Sequence, residues 1–180
     1  MLRERQVIPM LDRALRVVAK SMSLSDEVWF KHANPWSGWT RFTTYPFLIL
    51  AFWSRDWLGI WFLIPVAVVL AWIWINPRVF PRPKSTSNWM SKVVFGERIF
   101  TERKKKQTQI PKHHVTAANI INAISAIGLA ILIYGLIVLE IWPTFSGAAI
   151  ALLGKLWFVD RMAWLYEDMK NIPEYGEWAY

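Results

Sequence analysis

The chain has 180 residues, of which 54% are hydrophobic and 13 are tryptophan, and its formal net charge is +8. This is too short for two soluble domains and too apolar for an ordinary soluble one. The absence of cysteine excludes disulfides, thiolate metal sites and cysteine nucleophiles. The composition therefore predicts one all-α, polytopic membrane domain.

Residues 1–34 are predicted to form an N-terminal segment that lies at a membrane surface. From Arg3 to Lys20, apolar side chains recur on one helical face and most basic side chains lie away from it. This pattern predicts an amphipathic helix in the headgroup layer. Because Pro9 interrupts it, a partly ordered tail is the alternative. Ser25, followed by two acids, predicts the N-cap of a second, short helix.

Residues 35–75 predict a hairpin of two transmembrane helices. Residues 35–53 contain one charge, Arg41, and residues 58–75 contain none. At about 1.5 Å per residue each limb is about 27–28 Å long, close to the roughly 30 Å hydrocarbon core of a bilayer. Asn34 and Pro35 form a helix-start signal, an N-cap followed by proline at the first position. Asn76 and Pro77 are predicted to end the second limb.

The rest of the chain predicts a second hairpin behind a long polar loop, residues 77–114. Trp89 to Phe100 within that loop is predicted to be a short interfacial helix or strand. The third span is expected over residues 115–139, where Gly128 and Gly135 suit close helix packing, and it ends at Trp142-Pro143. The fourth starts near residue 144 and runs to about 169. The prediction is a four-helix transmembrane domain over residues 35–169, followed by a tail, residues 170–180.

The distribution of charge predicts how the chain is threaded. Residues 77–114 hold ten lysines and arginines against two acids. In the two short turns, the only lysine or arginine is Arg55. The positive-inside rule places this loop in the cytoplasm, and four spans place both termini there too. From Asp160 onward there are five acids and two bases, so the tail is expected to pack against the basic loop. The predicted location is the cytoplasmic membrane of a prokaryote.

Charged residues at membrane depth are the first candidates for function, because such groups are expensive there. The predicted intramembrane charge network consists of Arg41, Lys155, Asp160 and Arg161. The alternative to a functional role is that these residues pair with one another and hold the helix bundle together. A basic run beside a membrane predicts contacts with anionic lipid headgroups, each worth about 1 kcal/mol. This run is Arg103, Lys104, Lys105 and Lys106. It lacks interleaved aromatic residues, and nucleic-acid binding is not expected.

The histidines are His32, His113 and His114, and together they form the alternative metal-ligand set. Adjacent histidines in a lysine-rich loop are more typical of solvated residues, so no metal and no cofactor is expected. No phosphate loop or GxSxG elbow occurs. The alternative is an enzyme whose site lies at the cytoplasmic face, with catalytic residues His32, Glu97 and Asp160.

Several sequence blocks resemble those of an uncharacterised family of small four-helix prokaryotic membrane proteins. They are His-x-Asn-Pro-Trp-Ser at 32–37, Asn-Pro-Arg at 76–78, Gly-Glu-Arg at 96–98 and Leu-Trp-Phe-x-Asp-Arg-Met at 156–162. This resemblance covers nearly the whole chain after residue 25 and implies no activity. A second resemblance is limited to His32-x-Asn34-Pro35 and Pro46. These residues are similar to the N-terminal part of the small membrane fatty-acid α-dioxygenases. Those enzymes use iron, and this resemblance implies a ligand role for His32 alone.

Two functions follow as expectations. The first is a non-catalytic accessory or lipid-binding membrane protein that associates with itself or with a larger membrane complex. Its grounds are the lack of a complete catalytic constellation and the abundance of aromatic and small residues suited to helix packing. The second is a membrane-embedded, lipid-modifying enzyme, iron-dependent if the dioxygenase resemblance extends to its chemistry.

Overall fold

The structure, a computed structural model, describes residues 25–104 and 106–180. All regular secondary structure in this part of the chain is helical. The helices are α1 (Asp26–His32), α2 (Pro35–Trp53), α3 (Arg55–Leu58), a 3-10 turn (Gly59–Phe62), α4 (Leu63–Val79), α5 (Trp89–Glu102), α6 (Lys112–Val138), α7 (Ile141–Met169) and α8 (Pro173–Gly176). The amphipathic helix predicted between residues 3 and 20 lies outside the described residues.

Helices α2 and α4 form the first hairpin, and α2 has the predicted bounds. Asn34 caps α2 by accepting a hydrogen bond from the Trp36 amide at 3.0 Å, and it donates to the Pro81 carbonyl at 3.0 Å. The start of α2 therefore lies beside the end of α4, and the two helices are antiparallel. The turn is longer than predicted: Gly59 has a positive φ of 54°, a 3-10 turn follows, and α4 begins only at Leu63.

The second limb also continues past its predicted end. Pro77 lies inside α4, which extends to Val79. The side chain of Asn76 is fully buried against α2, where it is hydrogen-bonded to Ser37 and Thr40. These two bonds hold this turn of α4 against α2, although proline removes a backbone hydrogen bond there.

Helices α6 and α7 form the second hairpin and pack at very short distance. A Cβ atom built on Gly128 would overlap the backbone of Ala151, and one on Gly147 would overlap the backbone of Leu132. Small residues on both helices thus allow the two backbones to approach closely, which is the close packing that the sequence predicted at Gly128. Pro143, expected to separate the spans, instead lies in the first turn of α7. The first turn tolerates proline because its amide groups have no partner within the helix.

Helix α5 is a buried core helix, where the sequence predicted an interfacial helix or strand. Its buried apolar residues are Met90, Val93, Val94, Phe95 and Ile99. It packs on the end of α7, where Gly96 touches the carbonyl of Met162. Phe95 completes a cluster with Tyr166 of α7 and with Trp178 near the end of the chain.

Helices α1 and α5 and residues 170–180 form a cap over one end of the two hairpins. The buried Arg98 joins its parts: it pairs with Asp26 and with Glu102, and its guanidinium lies 4.5 Å from the Trp178 ring centroid. The predicted attraction between loop and tail is present as the ion pair of Lys106 and Glu174, at 2.7 Å.

Three helical stretches of the described chain are long and apolar enough to cross a membrane. They are Pro35–Val79, Lys112–Val138 and Ile141–Met169. The first has 45 residues and comprises the antiparallel helices α2 and α4 together with the turn between them. Hydrophobic length, on which the hairpin prediction rested, is therefore present in both hairpins.

The contact of Gly96 with the backbone of α7 predicts that Gly96→Ala destabilises the fold. The added Cβ meets a carbonyl oxygen that cannot move independently, and overpacking of this kind costs about 1–3 kcal/mol. Gly38→Ala is the matched control, because its Cβ meets only the flexible side chain of Met90. Both changes gain about 1 kcal/mol of helix propensity. Thermal unfolding in detergent should show a lower Tm for Gly96→Ala only, and equal Tm values would contradict the packing described.

Candidate functional site

A cavity of about 500 Å³ lies between the two hairpins, below the cap. Its charged and histidine side chains are His32, Arg41, Glu97 and Lys155. Leu48, Ile73 and Leu152 also line it, further along their helices toward the turns. The cavity is therefore amphipathic, with charge near the cap and hydrocarbon walls deeper between the helices. Its volume falls within the range of about 300–1,000 Å³ that is usual for small-molecule sites.

A directed chain of hydrogen bonds begins at the cavity wall, at Arg41 and His32, and continues into the contact between α2 and α4. Nη1 of Arg41 donates to Nε2 of His32 at 3.1 Å, and Nδ1 of His32 lies 2.8 Å from Oγ of Ser37. The Ser37 hydroxyl donates to Oδ1 of Asn76 at 2.9 Å. Nδ2 of Asn76 donates to Oγ1 of Thr40 at 2.8 Å, and Thr40 donates to the Trp36 carbonyl at 2.6 Å. Between Arg41, which only donates, and the Trp36 carbonyl, which only accepts, each group receives one hydrogen bond and donates another.

This chain fixes the protonation state of His32. A guanidinium can only donate, so Nε2 must carry a lone pair. Because Ser37 has committed its proton to Asn76, it accepts from Nδ1, which therefore carries the proton of the neutral ring. Burial, followed by the positive charge of Arg41, lowers the pKa of His32 to about 4. His32 is therefore a neutral structural link at physiological pH, with both ring nitrogens engaged.

Glu97 of α5 and Lys155 of α7 line the same cavity. Nζ of Lys155 donates to Oε1 of Glu97 at 2.8 Å, and this pair joins α5 to α7. Burial alone would raise the pKa of Glu97, but the ammonium of Lys155 and the guanidinium of Arg41 bring it below its usual value. Glu97 is therefore ionised. With His32 neutral, the two cations and one anion leave the cavity lining with a net charge of +1.

The structure brings together part of the predicted charge network and separates the rest. Arg41 and Lys155 both line the cavity, but Asp160 accepts a hydrogen bond from Nε1 of Trp89 at 3.1 Å. Asp160 and Lys155 are five residues apart on α7, which places them roughly 140° apart around the helix. Asp160 and its neighbour Arg161 do not line the cavity. Of the predicted catalytic set, His32 and Glu97 line the cavity.

The predicted headgroup-binding run follows α5. Arg103 donates to the carbonyl of Phe100 and lies over its ring, and Lys106 pairs with Glu102 and Glu174. Lys104 is exposed, and Lys105 lies outside the described residues. Two of the three described side chains are thus engaged within the cap.

The predicted histidine set divides between two places. His32 belongs to the cavity, whereas His113 and His114 lie at the start of α6 beside Asp168 of α7. Among the described residues, His113, His114 and Asp168 have potential ligand atoms within 4.8 Å of one another. The sequence prediction missed Asp168, since nothing in the pattern shows which turn of α7 meets the start of α6.

Sequence reasoning also missed Ser37 and Thr40, the hydrogen-bond partners of Asn76. One available signal was Asn76 itself, an amide at the end of an uncharged apolar stretch. A buried amide needs hydrogen-bond partners, so its presence predicts polar side chains on the neighbouring helix. Ser37 and Thr40 of α2 fill that role.

Comparison with known proteins gives a family and nothing further. A family model described as "Family of unknown function (DUF6653)" matches residues 14–179. No curated protein and no solved structure matches the chain. Every residue of the cavity and of the hydrogen-bond chain lies inside the matched range.

The depressed pKa of His32 predicts that acid destabilises the protein. The unfolded chain binds this proton near the ordinary pKa of 6.5 and the folded protein only near 4, so the unfolded state holds more protons between these values. The contribution of neutral His32 is complete above pH 6.5 and is lost as the pH falls to about 4, up to about 3 kcal/mol. Thermal unfolding as a function of pH should be steeper in the wild type than in His32→Asn. Equal slopes would show that His32 is not held neutral.

Proposed function

We propose that this chain, which belongs to a family of unknown function (DUF6653), is a four-span membrane protein that binds one monoanionic amphiphile between its hairpins. The observation that carries the proposal is the position of Arg41 and Lys155 near the cap end of a cavity whose deeper walls are apolar. The occupant would be a lipid or lipid-like molecule, held by its headgroup.

The outer surface of the hairpins supports the membrane setting. Val68, Leu70, Ile127 and Ile133 are large apolar side chains that are about half exposed or more. A soluble monomer rarely exposes a continuous apolar surface of this kind. Lipid chains would cover it, and further copies or a larger membrane complex would cover part of it in an assembly.

Exposed tryptophans support the same setting, because they concentrate toward both ends of the hairpins, where aromatic belts form in membranes. Those toward the cap are Trp36, Trp39, Trp74 and Trp157, and those near the turns are Trp57, Trp61 and Trp142. With the basic loop in the cytoplasm, the cap and both termini lie inside the cell and the turns lie outside. The family resemblance adds the expectation of a prokaryotic cytoplasmic membrane.

The charge of the cavity selects the class of ligand. Arg41 presents a planar group suited to a carboxylate or phosphate, and Lys155 a mobile ammonium. Because Glu97 already neutralises one of these charges, the remaining +1 matches a single negative charge. An uncharged headgroup would leave this charge unbalanced, and a dianion would add repulsion from Glu97. We therefore expect a single-chain carboxylate or a phosphodiester lipid to bind better than a neutral analogue of equal chain length.

Topology is tested by single cysteine substitutions in a chain that has no cysteine of its own. Asp56→Cys and Glu140→Cys place thiols in the two turns, Ser85→Cys places one in the loop between α4 and α5, and Glu174→Cys places one in the cap. In intact cells a membrane-impermeant maleimide should label the first pair only, and the second pair should react after the membrane is permeabilised. Labelling of one turn and protection of the other would contradict the four-span arrangement.

Ligand binding is tested by native mass spectrometry of the purified protein with a long-chain carboxylate and with the corresponding alcohol. We expect one equivalent of carboxylate per chain and much weaker retention of the alcohol. Arg41→Gln and Lys155→Gln should each weaken carboxylate binding about 10–100-fold, the effect of losing one hydrogen bond to a charged group. Lys84→Gln, at an exposed loop position, is the control and should bind normally. Equal retention of carboxylate and alcohol by the wild type would contradict the proposal.

A lipid-modifying enzyme is the second candidate, and Glu97 is the observation that favours it. Glu97 is an ionised carboxylate on the cavity wall, paired with Lys155 but still 20% exposed, and it can accept a proton from a bound amphiphile. His32 has no free nitrogen for such a role, and Asp160 is bonded to Trp89. Mass spectrometry of lipids incubated with the wild type and with Glu97→Gln decides this: a product formed by the wild type alone supports catalysis, and unchanged lipids oppose it.

A further inference from the structure

We propose that the start of α6 and the end of α7 carry a second site, separate from the cavity, that binds a divalent transition metal ion through His113, His114 and Asp168. Nε2 of His114 lies 2.8 Å and Nε2 of His113 lies 3.7 Å from Oδ2 of Asp168. The two imidazole centroids are 4.2 Å apart. Two rings from the start of α6 therefore converge on one carboxylate from the end of α7.

The spacing of these atoms suits an ion such as Zn²⁺. Zinc binds imidazole nitrogen and carboxylate oxygen at about 2.0–2.2 Å, which places the ligand atoms of a tetrahedral ion roughly 3.3 Å apart. The two measured separations, 2.8 and 3.7 Å, lie on either side of this value. All three potential ligand atoms lie within 4.8 Å of one another, so small rotations of the side chains would bring them to one ion.

Burial differs among the three ligands in a way that suits an ion arriving from solution. The side chain of His114 is 1% exposed, whereas those of His113 and Asp168 are 63% and 47% exposed. His114 is thus fixed by packing, and the two exposed side chains are free to adjust around the ion. Water would fill the remaining coordination position.

The second nitrogen of His114 predicts that the affinity is moderate. Nδ1 is buried and has no hydrogen-bond partner among the described residues. A histidine that binds metal through Nε2 normally donates its other N–H to an acceptor, and the loss of such a partner weakens binding about 10–100-fold. The site should therefore exchange its metal with solution instead of retaining it through purification. The sequence predicted no metal, and its alternative ligand set contained His32 where the proposed site has Asp168.

A bound ion would add a cross-link between the start of α6 and the end of α7. The ligands contact neither Arg41 nor Lys155, and none of them lines the cavity. Metal binding is therefore expected to raise the Tm without changing the retention of the carboxylate. The two sites can be tested separately.

The experiment is isothermal titration of the full chain in detergent with ZnCl₂, after removal of any histidine tag. We expect one zinc per chain with a micromolar Kd, together with a Tm that rises with zinc concentration. Asp168→Asn and His113→Ala change exposed side chains and should leave the helical circular dichroism spectrum unchanged. Each removes a ligand, so zinc binding should weaken by more than the about 10–100-fold caused by loss of an outer partner alone.

Glu167→Gln is the matched control, since it removes a neighbouring carboxylate on the same helix that pairs with Lys92 and Lys170. It should bind zinc like the wild type, and so should Arg41→Gln. No saturable zinc binding by the wild type would overturn the proposal. Unchanged binding in Asp168→Asn, or an equal loss in Glu167→Gln, would overturn it as well.

Discussion

The structure depends on the requirement that polar side chains buried within an apolar hairpin satisfy one another. Asn76 and Ser37 are fully buried at the contact of α2 with α4, and their hydrogen bonds continue to His32 on one side and to Thr40 on the other. A one-residue slip between α2 and α4 would leave several of these groups unpaired, each at about 1–3 kcal/mol. The chain thus sets the register of the hairpin, orients Arg41 and fixes the charge of the cavity.

How far the sequence predicted this fold follows from which features are local. The bounds of α2, the caps at Ser25 and Asn34 and the small residues of α6 depend on neighbours along the chain, and all were predicted. The burial of α5 was not, because an amphipathic helix faces a membrane surface or a protein core with the same pattern. The pairing of individual cations with individual anions could not be predicted from the sequence either. Helix rotation decides that Lys155 meets Glu97, and hydrophobic length carries no information about rotation.

The same limit applies to the candidate site. Arg41, Lys155 and Glu97 were recognisable as charges near one end of the spans, and the structure places all three on one cavity. The neutral state of His32 was beyond sequence reasoning, because it depends on a guanidinium one and a half turns into the next helix and on a serine whose proton is used elsewhere. Chemistry-bearing residues can be identified from their type, but their protonation follows from partners that only the fold supplies.

The position of Trp178 in the cap has a consequence for biosynthesis. Arg98 and Phe95 of α5 contact this ring, and the Thr86 amide is hydrogen-bonded to the Tyr180 carbonyl at 2.7 Å. Residues 178–180 follow both hairpins in the chain, so the cap can close only after both hairpins have been synthesised. Until then the apolar face of α5 lacks part of its covering. A nascent chain stalled or cleaved shortly before residue 178 would keep its hairpins yet present α5 to the quality-control machinery of the cell.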